Sequence, residues 1–294
     1  MGGYLVCCLS LLGVLMFSGS MFFMDSLSML WLSLELSSLS LIPAYFIVVR
    51  PMAVFSSLFC YFMISGVSSA MIIVGFMYDY LMIVSFCGVL LKLGVFPFML
   101  WVYVVMSSSN WFVVWEYSTV LKCVVFVLPY VFGYELASSA GVSWLVCIMF
   151  LLLSLFFWVF TYSWKSCWCH MLLASTGLMI MTALCCVTSN LLFLFLVYLV
   201  WSSQVIVLFS FWGGSLGERD LVWWFFYCFL LVSHPMSFSV AYKLISVYCV
   251  SSFSIFVMSC WLLYSLSEQL FLIMWAINYK HPRSCFWFVW VVVG

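Results

Sequence analysis

Apolar runs of about twenty or more residues follow one another along almost the whole chain, the length at which a helix spans a membrane. Only 5% of the 294 residues are charged, whereas a water-soluble domain carries about 25% charged residues to hydrate its surface. Lipid must therefore be the solvent of this chain. In lipid only helices and closed β-barrels satisfy the backbone, and a barrel strand alternates polar and apolar residues over about ten positions. The uninterrupted runs predict an all-α, polytopic membrane bundle of about ten to eleven transmembrane helices.

Windows of about 19 residues divide the chain into ten predicted spans. The spans cover residues 4–23, 26–49, 52–77, 80–106, 111–134, 142–163, 167–188, 191–212, 221–249 and 250–277. The apolar tail after Arg283 is too short to cross as a straight helix. No charged loop divides residues 221–277, and a break at Ser267-Glu268-Gln269 is an open alternative there.

The charged residues between spans predict an orientation. Counting turns alternately places Arg50, Lys165, Arg219, Lys280 and Arg283 on one side. Asp25, Asp79 and Glu135 then fall on the other side. Basic residues collect on the cytoplasmic side of a membrane, or on the matrix side in a mitochondrion. We therefore expect the amino terminus on that same side.

Four ionisable residues lie inside apolar runs: Glu35, Lys92, Lys122 and Lys243. A charge at the bilayer centre costs about 2.5–3.5 kcal/mol on insertion scales, so these side chains must face the bundle interior, pair, or line water. A static ion pair that fixes helix packing is one interpretation. However, three lysines do not balance one central carboxylate. Because burial favours the neutral amine and a nearby carboxylate favours the ammonium, the pattern favours a proton relay.

The backbone beside Lys92 is also predicted to be irregular. Lys92-Leu93-Gly94-Val95-Phe96-Pro97 places a proline five residues after the lysine. Proline has no N–H for the carbonyl of Leu93 and clashes with it, so the helix should kink or break there. The freed carbonyl must then meet water or protein. A broken helix beside a midplane charge is how secondary transporters build ion sites.

The ninth span repeats this combination. Pro235 precedes Lys243 by eight residues, and a second break is predicted around it. His234 directly precedes Pro235. It is either a member of a proton path or a helix-break residue bonded to backbone.

The remaining polar residues carry weaker signals. Glu116 lies near the start of the fifth span, where we expect an interfacial position, and Glu268 belongs either to a loop or to a late helix. Cys167-Trp168-Cys169-His170 lacks the second ligand pair of a structural zinc site. Cysteines buried in apolar runs behave as small hydrophobes. No metal site is therefore expected.

Two segments resemble a known family. Trp31-Leu-Ser-Leu-Glu35, followed by Leu39-Ser-Leu-Ile-Pro43, looks like the Trp-x-x-Leu-Glu…Ile-Pro segment of subunit 2 of mitochondrial NADH:ubiquinone oxidoreductase. Lys92-Leu-Gly-Val-Phe-Pro97-Phe-Met-Leu-Trp101 resembles the Lys-Leu-Gly-x-x-Pro-Phe-His-Phe-Trp segment of the same antiporter-like membrane subunits of respiratory complex I. Lys122 and Lys243 fall where that family places its next membrane lysines.

This resemblance implies one antiporter-like transmembrane domain over residues 1–294. It also implies a core membrane-arm subunit of the proton-translocating NADH:ubiquinone reductase, in the mitochondrial inner membrane with the amino terminus on the matrix side. Its partners would be other membrane-arm subunits and lipid, with no nucleic acid and no stand-alone homo-oligomer. The chain itself would bind no cofactor, since NADH, FMN, the iron–sulfur clusters and ubiquinone belong to other subunits. The implied relay comprises Glu35, Lys92, Lys122 and Lys243, with helix breaks at Gly94, Pro97 and Pro235 and His234 as a possible further member. The alternative is a free-standing cation/proton antiporter or solute transporter.

Overall fold

The computed structural model describes residues 2–24, 26–46, 51–137, 140–186, 188–212, 221–251 and 254–278. Every regular element in these ranges is helical, which confirms the predicted all-α class. Two compact units divide the chain, Met1–Ser138 and Ser139–Gly294. The single antiporter-like domain expected over residues 1–294 stays a prediction.

The first unit contains eight α-helices joined by short turns and 3₁₀ segments. They are α1 (Gly2–Ser20), α2 (Leu27–Ser40), α3 (Ile42–Tyr45), α4 (Pro51–Met77), α5 (Met82–Leu93), α6 (Leu100–Ser108), α7 (Trp111–Ser118) and α8 (Val127–Ala137). The 3₁₀ segments are Met21–Phe23, Asp79–Leu81 and Val120–Phe126. Helix α4 packs against α5 and α6, and α1 packs against α2.

The second unit contains six α-helices. They are α9 (Ala140–Val159), α10 (Trp164–Cys185), α11 (Thr188–Trp212), α12 (Leu221–Leu230), α13 (Phe238–Ser251) and α14 (Ile255–Asn278). Helix α10 is buried along almost its whole length and packs against α9, α11 and α13. Its first turn is closed by a capping box, in which the Ser163 hydroxyl accepts from the Ser166 N–H at 3.2 Å and Ser166 bonds back.

Large apolar side chains cover the outer helix faces. On α1 the exposed residues Leu5, Leu9, Leu12 and Met16 recur at spacings of three and four, which is one face of a helix. A continuous apolar face is costly in water and favourable in lipid. Among the described residues, eight helical segments are long and apolar enough to cross a membrane, and the chain is a multi-pass membrane protein.

Most predicted spans coincide with helices, and the two predicted breaks are confirmed. The spans near 80–106 and 221–249 are each split, with gaps between Leu93 and Leu100 and between Leu230 and Phe238. The fifth predicted span, 111–134, is also interrupted, by the 3₁₀ segment Val120–Phe126. No break interrupts residues 267–269, because α14 continues through them. Glu268 therefore belongs to a late helix. Arg50, Arg219, Lys280, Arg283 and Asp25 lie outside the described residues, and the predicted sidedness stays a prediction.

Candidate functional site

Glu35 and Lys92 meet inside the first unit. The Lys92 Nζ lies 3.6 Å from Glu35 Oε2, with 9% and 22% of the two side chains exposed. The ammonium also donates to the Leu34 carbonyl at 3.0 Å and lies 3.5 Å from Ser38 Oγ. Lys92 occupies the last turn of α5, where the partial negative charge of the helix end stabilises a cation. Both the pair and the helix terminus therefore favour a charged lysine.

Hydroxyl groups extend this polar site from α2 to α4. The Ser38 hydroxyl donates to the Glu35 carbonyl at 2.8 Å, and the Ser65 hydroxyl donates to Ser38 Oγ at 3.0 Å. The Tyr61 hydroxyl donates to the Ser38 carbonyl at 3.1 Å. Ser38 thus links the acid–lysine pair to a short row of groups that exchange hydrogen bonds. These hydroxyl groups form a polar cluster around Ser38 in an otherwise apolar interior.

Specific hydrogen bonds stabilise the interruption of the helix after Lys92. Gly94 has a left-handed backbone with φ of 68°, the conformation that ends many helices and that glycine adopts without a steric penalty. The Leu91 carbonyl accepts from the Gly94 N–H and from Trp101 Nε1, each at 3.1 Å. The Tyr117 hydroxyl donates to the Lys92 carbonyl at 3.5 Å. These donors satisfy carbonyls that the break removes from the helix ladder.

Lys122 lies in the same unit but in a different kind of element. It is 3% exposed within the 3₁₀ segment Val120–Phe126, which interrupts the fifth predicted span between α7 and α8. A 3₁₀ stretch in the middle of a helix often marks a hinge or local strain. The structure therefore places this lysine on irregular backbone, whereas Lys92 and Lys243 lie on α-helices beside a break.

Glu116 lies on α7 and contacts α1. An interfacial position was expected near the start of the fifth span, and the structure buries the side chain within the protein at 0% exposure. The Ser10 hydroxyl of α1 lies 2.9 and 3.2 Å from its two carboxyl oxygens. This face of α7 is turned towards α1, a contact that a single serine gave no periodic signal of, and the interfacial depth stays a prediction.

The second unit contains another acid–lysine pair. Lys243 Nζ on α13 lies 3.0 Å from Glu268 Oε1 on α14, with 15% and 7% of the side chains exposed. Sequence reasoning left Glu268 open. A signal was available, since Glu268 lies in a long apolar run without glycine or proline, the same context that identified Glu35.

Three carboxylates now accompany the three embedded lysines: Glu35, Glu116 and Glu268. The sequence indicated three lysines against one acid, an excess that favoured a relay over static pairing. With two further buried acids that reasoning no longer holds. The case for proton exchange has to rest on the local geometry of each pair.

His234 lies in the non-helical segment between α12 and α13, with its side chain exposed. Its N–H donates to the Val232 carbonyl at 2.8 Å, and its carbonyl accepts from the Ser237 N–H at 2.7 Å. These bonds close the turns on both sides of Pro235. They match the helix-break interpretation, and a place for the ring in a proton path stays a prediction.

The Cys167–His170 segment lies on buried α10. Within the described ranges, no group of three metal-ligating side chains comes together.

The fold is similar to that of a solved membrane complex. A chain in the structure of respiratory complex I from Thermus thermophilus with bound aureothin superposes with a TM-score of 0.73 and 16% sequence identity. The match covers 96% of this chain and 77% of that one. No family model matches the sequence, and no curated protein matches it. At this identity the likeness concerns the fold, so the chain has the helical fold of a respiratory complex I chain over nearly its entire length.

Proposed function

We propose that this chain is a membrane-arm subunit of a respiratory NADH:quinone oxidoreductase, of the subunit 2 type, and that it takes part in proton translocation. The observation that carries the proposal is the contact of Lys92 with Glu35 at the end of a broken helix. The fold likeness to a chain of respiratory complex I and the Lys92–Trp101 motif support it. The corresponding location is the mitochondrial inner membrane, with the amino terminus on the matrix side.

In the proposed mechanism the Glu35 carboxylate controls the charge of Lys92. While the carboxylate is near, it stabilises the ammonium. When charge movement elsewhere in the complex weakens that contact, burial favours the neutral amine and Lys92 releases its proton. Lys122 would carry the proton onward to Lys243. Moving one charge against about 100 mV costs about 2.3 kcal/mol, an energy that the redox reaction in other subunits would supply.

Two substitutions of Lys92 test this role. Lys92→Met removes the proton carrier, and Lys92→Arg keeps a positive charge that does not deprotonate in proteins. We expect both to slow proton transfer through this chain by about 100-fold or more, the typical contribution of a positioned acid–base group. The measurement is the rate of proton uptake into inverted membrane vesicles during NADH oxidation, at equal amounts of assembled complex.

Lys165→Met is the matched control, since it removes a lysine from the first turn of α10, and it should leave the rate unchanged. A normal rate in Lys92→Arg would identify a static cation, and a normal rate in both Lys92 variants would refute the proposed role.

A further inference from the structure

Glu268 and Lys243 form a buried site between two helices of the second unit. Glu268 is the fourteenth of the 24 residues of α14, so its carboxylate lies near the middle of a membrane span. Lys243 lies on α13, shortly after the break around Pro235. Their charged atoms are 3.0 Å apart, within the reach of proton transfer. Lys243 Nζ forms no hydrogen bond within the described residues, so direct exchange requires the ammonium to rotate an N–H bond towards the carboxylate.

Gln269 ties this pair to the broken segment between α12 and α13. Its Nε2 donates both to Glu268 Oε1 at 3.2 Å and to the Leu231 carbonyl at 3.1 Å. Its Oε1 accepts from the Ser233 N–H at 2.8 Å. The same amide therefore holds the acid and satisfies two backbone groups freed by the break. A movement of the broken segment would change the hydrogen bonding of Glu268.

A small cavity lies against the pair. Its volume is about 20 Å³, and its lining includes Lys243, Glu268, Ser175, Tyr242 and Tyr264. A polar cavity of at least about 10–15 Å³ holds one water molecule when two to four polar partners are available. The volume is sufficient for one water, and polar side chains are among the lining residues.

We propose that Glu268 is the direct proton acceptor of Lys243 and that one water in this cavity carries the proton onward. The inference rests on the proposed function and extends it to a residue outside the expected relay. In the transfer one N–H bond of the ammonium breaks and one O–H bond forms on the carboxylate. A charged pair thus becomes a neutral amine and a neutral acid, and the proton then leaves the acid through the water.

The pairing differs from a purely structural ion bridge in one testable respect. Breaking a static buried pair by removing one partner is harmful, because it leaves an uncompensated charge, while replacing both partners by neutral groups is often tolerated. For a proton-exchanging pair, replacing both partners does not restore activity, because the double replacement also removes the groups that exchange the proton.

The test compares Glu268→Gln, Glu268→Asp and the double variant Glu268→Gln/Lys243→Met in the intact complex. Glutamine keeps the shape and the hydrogen-bond acceptor but takes up no proton, so we expect the proton-uptake rate to fall at least about tenfold. Aspartate keeps an acid and should recover a measurable part of the rate, with a shifted pH profile. The double variant should stay as impaired as Glu268→Gln. Glu116→Gln, the same change at a buried carboxylate of the first unit, should retain the normal rate.

Infrared difference spectroscopy provides a second readout. A carboxylic-acid C=O band that appears during turnover and is lost in Glu268→Gln would support the transfer. Full proton uptake in Glu268→Gln, or recovery in the double variant, would overturn it.

The Lys92 variants separate this inference from the proposed function. If Lys92→Met is impaired while Glu268→Gln is normal, the inference fails and the function stands. If both are normal, the proposed function fails as well.

Discussion

Glu35, Glu116 and Glu268 are carboxylates that lie on helices, and they differ in the partners that stabilise them. Glu35 and Glu268 face lysines at 3.6 and 3.0 Å. Glu116 is held by the hydroxyl of Ser10, and it forms no ion pair within the described part of the chain. An ion pair compensates a buried charge directly, while one neutral donor compensates it only in part. Glu116 is therefore best understood as a packing contact between α7 and α1.

Substitutions at Ser10 and Glu116 test this packing role. Ser10→Ala leaves the buried carboxyl group without its donor and should cost about 1–3 kcal/mol in the free energy of unfolding. Glu116→Gln keeps an acceptor for Ser10 and removes the ionisable group, so it should be neutral or stabilising. Thermal denaturation of the detergent-solubilised protein measures both, and the double variant isolates the pair. Equal melting of Ser10→Ala and wild type would show that this hydrogen bond does not stabilise the fold.

At the level of the elements, the sequence predicts the helix interruptions that proline and glycine cause. Pro97 and Pro235 correctly mark the two breaks, because proline cannot continue a hydrogen-bonded helix. The 3₁₀ segment Val120–Phe126 contains neither glycine nor proline, but Pro129 follows it in the first turn of α8. Proline has no N–H for the carbonyl of Val125, so the sequence carried a signal of irregular backbone that was not used. The apolar run around Glu268 indicated an embedded acid, but its contact with Lys243 depends on which helices pack together, and a single sequence does not report that.

Substitution of Gly94 tests the role of the left-handed turn in the first helix break. A side chain there adopts a left-handed backbone at a cost of about 1–2 kcal/mol, and its Cβ would collide with the Val102 side chain. Gly94→Ala should therefore lower the thermal stability of the protein and reduce proton uptake, because the turn that positions Lys92 shifts. In Gly94→Ala/Val102→Ala the collision is relieved and only the backbone strain remains, so stability should recover in part.

Gly66 on α4 is the matched control for Gly94. A Cβ at this position meets no atom within 4 Å, and its backbone is helical. Gly66→Ala should not destabilise the protein. Equal melting temperatures for the Gly94 and Gly66 variants would refute the assigned role of the left-handed turn.

At the scale of the whole molecule, the described part of each compact unit contains one acid–lysine pair beside a broken helix. In the first unit Lys92 precedes the break, and in the second unit Lys243 follows it. The sequence predicted both lysines and both breaks but only one of the two acids. The apolar outer faces were predictable from composition, because 69% of the residues are hydrophobic and a bundle in lipid needs no polar surface. Repetition of the same chemical arrangement suits a protein that passes protons between sites more than it suits a passive anchor.

The proposed function also predicts the physical state of the chain in its membrane. A subunit of an NADH-oxidising complex should migrate, after mild detergent extraction, with a particle many times larger than its own 33.9 kDa. Native electrophoresis with an NADH-oxidation stain and an antibody against this chain measures that association. Lys92→Met should migrate identically, because the substitution replaces one buried side chain by an apolar one and leaves the outer surface unchanged. A free-standing antiporter or solute transporter would instead migrate near its own mass with bound detergent. It would also produce a solute-driven pH change when reconstituted alone in liposomes, and that pair of results would exclude the respiratory role.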